Sequence, residues 1–597
     1  MIRSPFASHL LPCLVVCLFA CSTPAKKGGV TAQSIQLNAV IQKYVDEVKH
    51  LDAFEAPYYN VEEDLSKFGD YAAPEFFERE KANVKDALQG LSQVDSSKLP
   101  PNDLIAYRLF KEDLEVSQRG FQFPTEELDF NQMGNRLHDY MDSSSEALTS
   151  FPFDTVKHYE DYVQRSSGLP AYVDRQIALL NKGIQDKLVL SCVVASKVRH
   201  TYQDALETNL EKNPFLRPLA FMPASFSPTD RKRLSDEFHA MVKSTIIPSY
   251  QKFDHFYTHA YVNHCRKGFG LSSLAEGRNW YLYEIKSNTN LDLNPEEIHK
   301  TGLREVARIS SELEKIKKQK GFHGNLPAFL RSRATDPHSF FTSAKDMFAA
   351  FEKVKAQTAL KIPAYFSLVP KSDFKIVETS NPEDASGSYN QPTETAPFGR
   401  FIVNTKNLKA VPIYDVTTLM LHETVPGHHF QLALQYEMKD SLSEYQRKVY
   451  NSNAFAEGWA LYAEYLGNEM GMFTDPDQRF GNLNDEMLRA VRLVVDTGIH
   501  SMGWSQQRAI AYMAHHLASD HKDIETEINR YSVWPGQALG YKVGQLKILE
   551  LRHKAESVLG KNFDIKGFHK AIIGNGTVSL GVMETQVNDW IKDQNGR

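Results

Sequence analysis

Residues 422–429 read His422-Glu423-Thr424-Val425-Pro426-Gly427-His428-His429, and this octet is the most informative stretch of the 597-residue chain. A histidine followed by a glutamate, with further histidines within two helical turns, is typical of a zinc site that activates water. Zinc binds neutral imidazole nitrogens and keeps one position open, and an adjacent glutamate takes a proton from the water there. The octet therefore predicts that His422 is a metal ligand and Glu423 a general base.

The second histidine is spaced differently from the usual His-Glu-x-x-His pattern. On a regular helix His428, six residues after His422, would point to another face. Pro426 lacks an N–H and Gly427 permits unusual backbone angles, so we expect the helix to break and bring His428 back. His429 returns to the face of His422 but lies about 10 Å along a straight helix. We favour His428 as the ligand, with His429 as the alternative; the structural alternative is a kinked helix with surface histidines.

The composition is that of an ordinary globular protein, with 42% hydrophobic and 24% charged residues. The formal net charge is −6, and no run of basic residues is interleaved with aromatic ones. A nucleic-acid partner is therefore not expected.

Residues 1–20 are predicted to be a signal peptide, because a short apolar stretch follows Arg3 and is too short to span a membrane. It ends in Leu18-Phe19-Ala20-Cys21, which resembles a bacterial lipobox. The resemblance implies cleavage before Cys21, a lipid anchor on its thiol, and a tether over residues 21–33. Ser22 favours the outer membrane of the cell envelope. An ordinary secretory signal is the alternative, and in both cases the protein is exported.

The mature chain has only two cysteines besides Cys21, namely Cys192 and Cys265. They form either one internal disulfide or two buried thiols, and the sequence favours neither.

Residues 34–590 are predicted to form a single, mainly α-helical domain, with an N-terminal helical part to about residue 337 and a catalytic part over 338–590. Apolar residues recur at three- and four-residue spacing in many segments. The clearest such segments are Asn38–Leu51, Ala73–Leu91, Asn102–Ser117 and Pro295–Lys318. Asn294 followed by Pro295 and two glutamates is a strong helix start.

A small β-sheet is expected between Phe366 and Val411, where proline, glycine and small polar residues replace the helical pattern. Strands are predicted at Phe374–Val377 and Arg400–Asn404. Many peptidases pair an extended substrate with a strand beside the metal-binding helix. Tyr389 and Asn404 are therefore candidates for substrate contact, with a purely structural role as the equal alternative.

Glu457 is the candidate third zinc ligand. It lies seven residues before Glu464 on an otherwise apolar helical segment, so both carboxylates share a face and need partners there. A glutamate from a helix that follows the histidines is a workable third ligand. Glu464 is expected to lie behind the ligands or at the surface.

Three more residues are candidates for transition-state or substrate contacts. Asp496 and His500 stand four residues apart, so the carboxylate would orient the imidazole. A zinc peptidase needs a hydrogen-bond donor for the developing oxyanion, and either Tyr541 or His500 would supply it. Arg530 would hold the C-terminal carboxylate of a substrate.

Several segments together resemble the bacterial domain-of-unknown-function family 885, and the resemblance spans residues 40 to 590. The resembling segments are His422-Glu423-x-x-Pro426-Gly427-His428-His429, Glu457-Gly458-Trp459-Ala460-x-Tyr462-Ala463-Glu464, Pro535-Gly536-Gln537-Ala538-x-x-Tyr541-x-x-Gly544, Gly277–Tyr281 and Asn294–Val306. The resemblance implies a large, helical, two-lobed body with a long central cleft, like angiotensin-converting-enzyme-like and thimet-oligopeptidase-like zinc peptidases.

The sequence thus predicts a lipid-anchored zinc peptidase that binds one Zn²⁺ and hydrolyses short peptides, as a carboxypeptidase or dipeptidyl carboxypeptidase if Arg530 lines the cleft. Manganese and cobalt are alternatives to zinc. Two other functions stay open: a lipoprotein that binds a peptide or a metal without turnover, and a hydrolase of another amide or of an ester. The sequence does not determine the oligomeric state.

Overall fold

The computed structural model describes residues 31–144, 151–379, 386–393 and 397–596. The predicted signal peptide, the lipid-anchor candidate Cys21 and the tether as far as residue 30 lie outside the described residues. Within the described ranges, no helix combines the length and the apolar character that a membrane crossing requires.

The protein is mainly helical, as the apolar periodicity predicts. Fifteen helices precede the sheet in the described residues. They are α1 (Ala32–Lys49), α2 (Ala56–Tyr59), α3 (Pro74–Leu91), α4 (Pro101–Gly120), α5 (Arg136–Asp142), α6 (Val156–Ser166), α7 (Leu169–Asp186), α8 (Cys192–Tyr202), α9 (Pro228–Met241), α10 (Ile247–His259), α11 (Gly277–Thr289), α12 (Pro295–Gln319), α13 (Leu326–Thr335), α14 (Ala344–Ala359) and α15 (Ile362–Tyr365).

Nine helices follow the sheet in the described residues, and they include the segments that carry the predicted metal ligands. They are α16 (Val416–Glu423), α17 (His428–Glu437), α18 (Asn453–Glu469), α19 (Pro476–His500), α20 (Gln506–His516), α21 (His521–Val533), α22 (Leu539–Leu559), α23 (Ile565–Ile573) and α24 (Leu580–Asn595).

The predicted start of the helix at Pro295 is confirmed, whereas α1 begins at Ala32, six residues before the predicted Asn38. The side chain of Asn294 accepts hydrogen bonds from the N–H groups of Glu296 and Glu297, and α12 begins at Pro295. The asparagine oxygen satisfies N–H groups that have no partner within the helix, and Pro295 needs none. Capping chemistry therefore fixes this boundary to the residue.

The small sheet has three strands in the order β1 (Phe374–Glu378), β3 (Gly399–Val403) and β2 (Gly387–Asn390). β1 runs parallel to β3, and β2 runs antiparallel to it. The two predicted strands are confirmed, whereas β2 was not predicted because it is short and rich in small and polar residues. The ring of Phe401 on β3 packs 5.1 Å from that of Phe351 on α14, which joins the sheet to the helices.

Two large hydrophobic cores organise the helices. One core contains buried residues of α5 to α10 together with those of α12, α19 and α21. The other contains buried residues of α1, α3 and α4 together with the sheet, α16 to α18 and α22 to α24. The first helices of the chain therefore share a core with its last ones.

Helices α18 and α22 approach each other closely at a pair of glycines. A Cβ atom placed on Gly458 would lie 2.5 Å from the Cα of Gly544 and 2.6 Å from its carbonyl carbon. Both neighbouring atoms belong to the backbone and have no rotamer that would relieve the contact. The glycines therefore set the distance between the helix that carries Glu457 and the helix that carries Tyr541.

Cys192 and Cys265 are joined in a disulfide that closes a sequence separation of 73 residues. This resolves the choice left open by the sequence. The bond ties the start of α8 to the segment after α10, within the first of the two cores.

We expect Gly458→Ala to destabilise the protein by about 1–3 kcal/mol, because the added methyl group would push α18 and α22 apart. Urea unfolding followed by circular dichroism measures this. Gly581→Ala is the matched control, since the nearest atom to a Cβ there is the Ser579 hydroxyl at 4.0 Å. An unchanged urea midpoint for Gly458→Ala would contradict the close packing.

Candidate metal centre

The helix breaks within the octet, as its proline and glycine predict. Helix α16 ends at Glu423 and α17 begins at His428. A Cβ at Gly427 would lie 1.9 Å from the carbonyl oxygen of His422, so only glycine fits this turn. The indole N–H of Trp459 on α18 donates a hydrogen bond of 2.8 Å to the carbonyl of Pro426. The break is thereby held against the helix that supplies the third predicted ligand.

The break brings His428 to His422. Their ring centroids lie 4.9 Å apart with the ring planes nearly perpendicular, at 89°. Glu457 completes the group: its Oε2 lies 3.5 Å from Nε2 of His422 and 3.4 Å from Nε2 of His428. One ligand atom from each of the three residues lies within 4.8 Å of the other two.

These distances fit a shared cation better than they fit direct hydrogen bonds. Ligand atoms about 2.0–2.2 Å from a tetrahedral zinc ion stand about 3.3–3.6 Å apart. A hydrogen bond between nitrogen and oxygen is shorter, at about 2.7–3.2 Å. In addition, Oε2 of Glu457 is buried and has no hydrogen-bond partner in the described part of the chain. The donor set of two imidazoles and one carboxylate suits zinc.

The charge on Glu457 also suits a cation. Although burial raises the pKa of its carboxyl, the neighbouring His428 and His422 hold that pKa well below the usual range. Glu457 is therefore ionised at neutral pH and can act as an anionic ligand.

Glu464 orients His422 from behind. Its Oε1 accepts a hydrogen bond of 2.7 Å from Nδ1 of His422, and the carboxylate is only 1% exposed. Because Nδ1 donates a proton to Glu464, Nε2 is the nitrogen that faces Glu457 and would bind a metal ion through its lone pair once deprotonated. A guanidinium nitrogen of Arg489 on α19 lies 3.8 Å from the same carboxylate oxygen. Glu464 thus lies behind the ligands, which was one of its two predicted places.

Glu423 stands beside the three ligands at the end of α16. Burial raises the pKa of its carboxyl, positive charge on His422 and His428 lowers it, and Glu457 raises it. The net direction is upward. A carboxylate with a raised pKa is a better proton acceptor near neutral pH, as a general base requires.

Tyr541 on α22 lies close enough to Glu457 for the carboxylate to influence its phenol. Burial and the charge of Glu457 raise the pKa of Tyr541, so its hydroxyl stays protonated and can donate a hydrogen bond. The guanidinium carbon of Arg492 lies 4.4 Å from the centroid of the Tyr541 ring. Of the two predicted oxyanion donors, Tyr541 is the one that interacts electrostatically with a candidate ligand.

His500 is placed differently from its prediction. It is 0% exposed, its Nδ1 accepts from the N–H of Leu271 and its Nε2 donates to the carbonyl of Tyr531. Asp496 does not orient it, because that carboxylate accepts instead from the Tyr281 hydroxyl and the Gly536 N–H. With both ring nitrogens engaged, His500 has no donor to offer an oxyanion, and the periodicity argument for the pair was wrong.

Arg530 is already bonded within the protein. Its Nε and Nη2 donate to the two carboxylate oxygens of Glu527, at 3.1 and 2.9 Å. Its Nη1 donates to the side-chain oxygen of Gln537 at 2.6 Å. Arg530 alone is therefore a weaker carboxylate receptor than the sequence suggested.

His429 and the two candidate substrate residues of the sheet have structural partners. Nε2 of His429 donates to the carbonyl of Ser372, so its Nδ1 accepts the hydroxyl proton of Tyr389, at 2.8 Å. His429 is thus turned away from the ligands. Asn404 is 1% exposed, and its side chain accepts from the N–H of Asn407. Buried in this turn, Asn404 is not placed to contact a substrate.

Three residues of the site were not predicted from the sequence: Trp459, Arg489 and Arg492. Trp459 belongs to the quoted motif around Glu457, so its motif position was a usable signal. The arginines lie on α19 three residues apart, as ordinary helix residues do, and no motif distinguishes them.

Two solved structures show the same fold. One is described as "the putative lipoprotein from Colwellia psychrerythraea"; it is 24% identical, covers 95% of this chain and 100% of its own, and has a TM-score of 0.85. The other is described as a "putative lipoprotein of unknown function from Shewanella oneidensis". It is 17% identical, covers 93% of this chain and 99% of its own, and has a TM-score of 0.67. Among functionally curated proteins, none matches this sequence.

The comparison with protein families agrees with the resemblance found in the sequence. The family described as "Bacterial protein of unknown function (DUF885)" matches residues 56–587, which include all three candidate ligands and Glu423. The match covers most of the chain, and the protein therefore belongs to this family.

Proposed function

We propose that this protein is an exported zinc peptidase that hydrolyses short peptides. The observation that carries the proposal is the convergence of His422, His428 and Glu457 beside the carboxylate of Glu423. Two imidazoles, one carboxylate and an adjacent base are the set that a catalytic zinc site needs.

Zinc at these three ligands would act as a Lewis acid that polarises the scissile carbonyl and lowers the pKa of a water molecule. Glu423 accepts a proton from the water while the water oxygen bonds to the carbonyl carbon. Glu423 then passes the proton to the amide nitrogen, and the carbon–nitrogen bond breaks to release an amine and a carboxylate. The Tyr541 hydroxyl donates a hydrogen bond to the carbonyl oxygen as negative charge develops there.

The sheet supports a peptide as the substrate. β2 is an edge strand of the described sheet and contacts both α16 and α17, the helices of the octet. Its Ser388 and Asn390 are exposed. An extended peptide that pairs with this edge would pass beside the ligands. Tyr389 would support this strand through His429 rather than touch the substrate.

We extend the proposal to the architecture and the location. The two cores would correspond to the two lobes of an angiotensin-converting-enzyme-like or thimet-oligopeptidase-like fold, with a cleft between them. Export and a lipid anchor on Cys21 would place the enzyme in the bacterial cell envelope, in line with the lipoprotein names of the structural relatives. A binding lipoprotein without turnover is the alternative. A helix break that kept the histidines apart would favour it, whereas the adjacent rings of His422 and His428 support the peptidase.

We expect the mature wild-type chain to hold close to one zinc ion after reloading, and His422→Ala and Glu457→Ala each to lose it. Inductively coupled plasma mass spectrometry on the purified proteins measures this. His429→Gln is the matched control and should keep the metal, because His429 bonds to Tyr389 and Ser372. Zinc retained by both ligand variants would refute the assigned site.

We expect Glu423→Gln to keep its zinc and to lower kcat for peptide hydrolysis by about 10²–10⁴-fold, because the amide cannot accept the proton from water. Mass spectrometry of a mixture of short peptides, with wild-type enzyme before and after chelation and reloading, supplies the assay. A reloaded wild-type chain that holds zinc but cleaves none of the peptides would favour the binding alternative or a different amide or ester substrate.

Loss of the Glu464 charge should weaken zinc binding by about 10–100-fold, because the carboxylate fixes the orientation and basicity of His422. Competition with a fluorescent chelator compares Glu464→Gln with the wild type. Glu469→Gln, an exposed glutamate on the same helix, is the matched control. Equal zinc affinity in the two variants would remove Glu464 from the metal centre.

A further inference from the structure

A second charged cluster lies next to the candidate metal centre, where α19 and α21 meet the start of α22. Arg492 and Arg530 both donate to Oε2 of Glu527, at 3.0 and 2.9 Å. Burial alone would raise the pKa of the Glu527 carboxyl, but the two guanidinium groups hold that pKa well below its usual range. The cluster therefore contains two positive charges and one negative charge.

Because Arg492 and Arg530 share the one carboxylate of Glu527, one of their two positive charges is not balanced by a second carboxylate in contact. Arg492 is 6% exposed, its Nε donates to the Tyr531 hydroxyl, and its Nη1 has no hydrogen-bond partner among the described residues. Besides Glu527, Asp496 interacts electrostatically with Arg530, but the Asp496 carboxylate accepts its hydrogen bonds from Tyr281 and Gly536. Burial raises the pKa of Asp496 to about 7, so it carries only part of a charge at neutral pH. Two buried guanidinium groups that share one carboxylate leave a net positive charge, which is costly unless a ligand supplies a second anion.

Tyr541 and Gln537 lie between this cluster and the helix that carries Glu457. The Arg492 guanidinium lies against the ring of Tyr541, whose hydroxyl is influenced by Glu457. Arg530 donates to the side-chain oxygen of Gln537, and the backbone carbonyl of Gln537 accepts from Asn453 at 2.8 Å. Asn453 lies one helical turn before Glu457 on α18. The arginines are therefore joined to α18 within one helical turn of Glu457.

We propose that Arg492 and Arg530, with Gln537 beside Arg530, form a binding site for a carboxylate of the peptide substrate. This inference rests on the proposed peptidase function. It differs from the expectation for Arg530 alone, because Arg492 adds a second guanidinium to the site and supplies the unused donor Nη1. A planar carboxylate suits the fork of a guanidinium, which a lysine does not reproduce.

The same carboxylate chemistry has two sources, the free C-terminus of the peptide or an acidic side chain. Three peptides of one core sequence distinguish them: one with a free C-terminus, one amidated, and one amidated with a glutamate in place of the last residue. Their dissociation constants are measured by isothermal titration calorimetry on the zinc-loaded Glu423→Gln protein, in which turnover is suppressed. Binding is thereby read out independently of catalysis.

In the Glu423→Gln protein, we expect the peptide whose carboxylate the site accepts to bind at least about tenfold more tightly than the amidated peptide without the glutamate. This is the size of effect that a hydrogen bond between charged groups gives. Adding Arg492→Lys or Arg492→Met should reduce that preference to within about twofold. Arg508→Met is the matched control: Arg508 is exposed, stacks on Trp504, and its loss should leave the preference intact. Thermal unfolding of each variant checks that the fold is kept.

Glu527→Gln tests the charge balance while both arginines are retained. Neutralising the one carboxylate of the cluster should tighten binding of the carboxylate peptide by about three- to tenfold and leave the amide unchanged. If the folded Arg492 variants and Glu527→Gln all keep the wild-type preference for the carboxylate peptide over the amidated one, the proposal is overturned. If the wild type cleaves no peptide but the carboxylate preference follows Arg492, the peptidase function fails and the binding site stands.

Discussion

The hydrogen bond from the Trp459 indole to the carbonyl of Pro426 is the contact on which the candidate site depends. The helix must break to bring His428 to His422, and a broken helix leaves carbonyl groups without intrahelical partners. Trp459 satisfies one of them from inside the protein, where it is 0% exposed. The same helix, α18, carries Glu457 and the carboxylate behind His422. This hydrogen bond therefore holds the turn at Pro426 against the helix that carries Glu457 and Glu464.

A concentration of buried acids behind His422 is the electrostatic consequence. Glu464, Asp485 and Asp415 surround Arg489, whose single positive charge cannot balance three carboxylates. Burial and Glu464 raise the pKa of Asp485 to about 6, against the lowering effect of Arg489, and burial raises that of Asp415 well above its usual value. Protonation thus relieves part of the repulsion, and a cation at the ligands would relieve more of it.

The sequence was sufficient for the parts of the molecule that local chemistry determines. The Asn294 cap and the break at Pro426 and Gly427, with His422 and His428 on either side of it, follow from short-range rules. Residues joined only by tertiary contact did not: Arg489 and Arg492 look like solvent-facing positions of a helix. His500 shows the converse error, because four-residue spacing says which helix face a residue shares but not what packs against that face.

The position of α19 relative to α18 then links the two charged regions. Buried apolar residues of α19 belong to one hydrophobic core, whereas those of α16 and α18 belong to the other. Yet Arg489 contacts the carboxylate that orients His422, and Arg492, one turn further along α19, packs on Tyr541. A shift of one core against the other would move both arginines together. Helix α19 therefore fixes the distance between Arg489, which contacts Glu464, and Arg492 of the proposed carboxylate site.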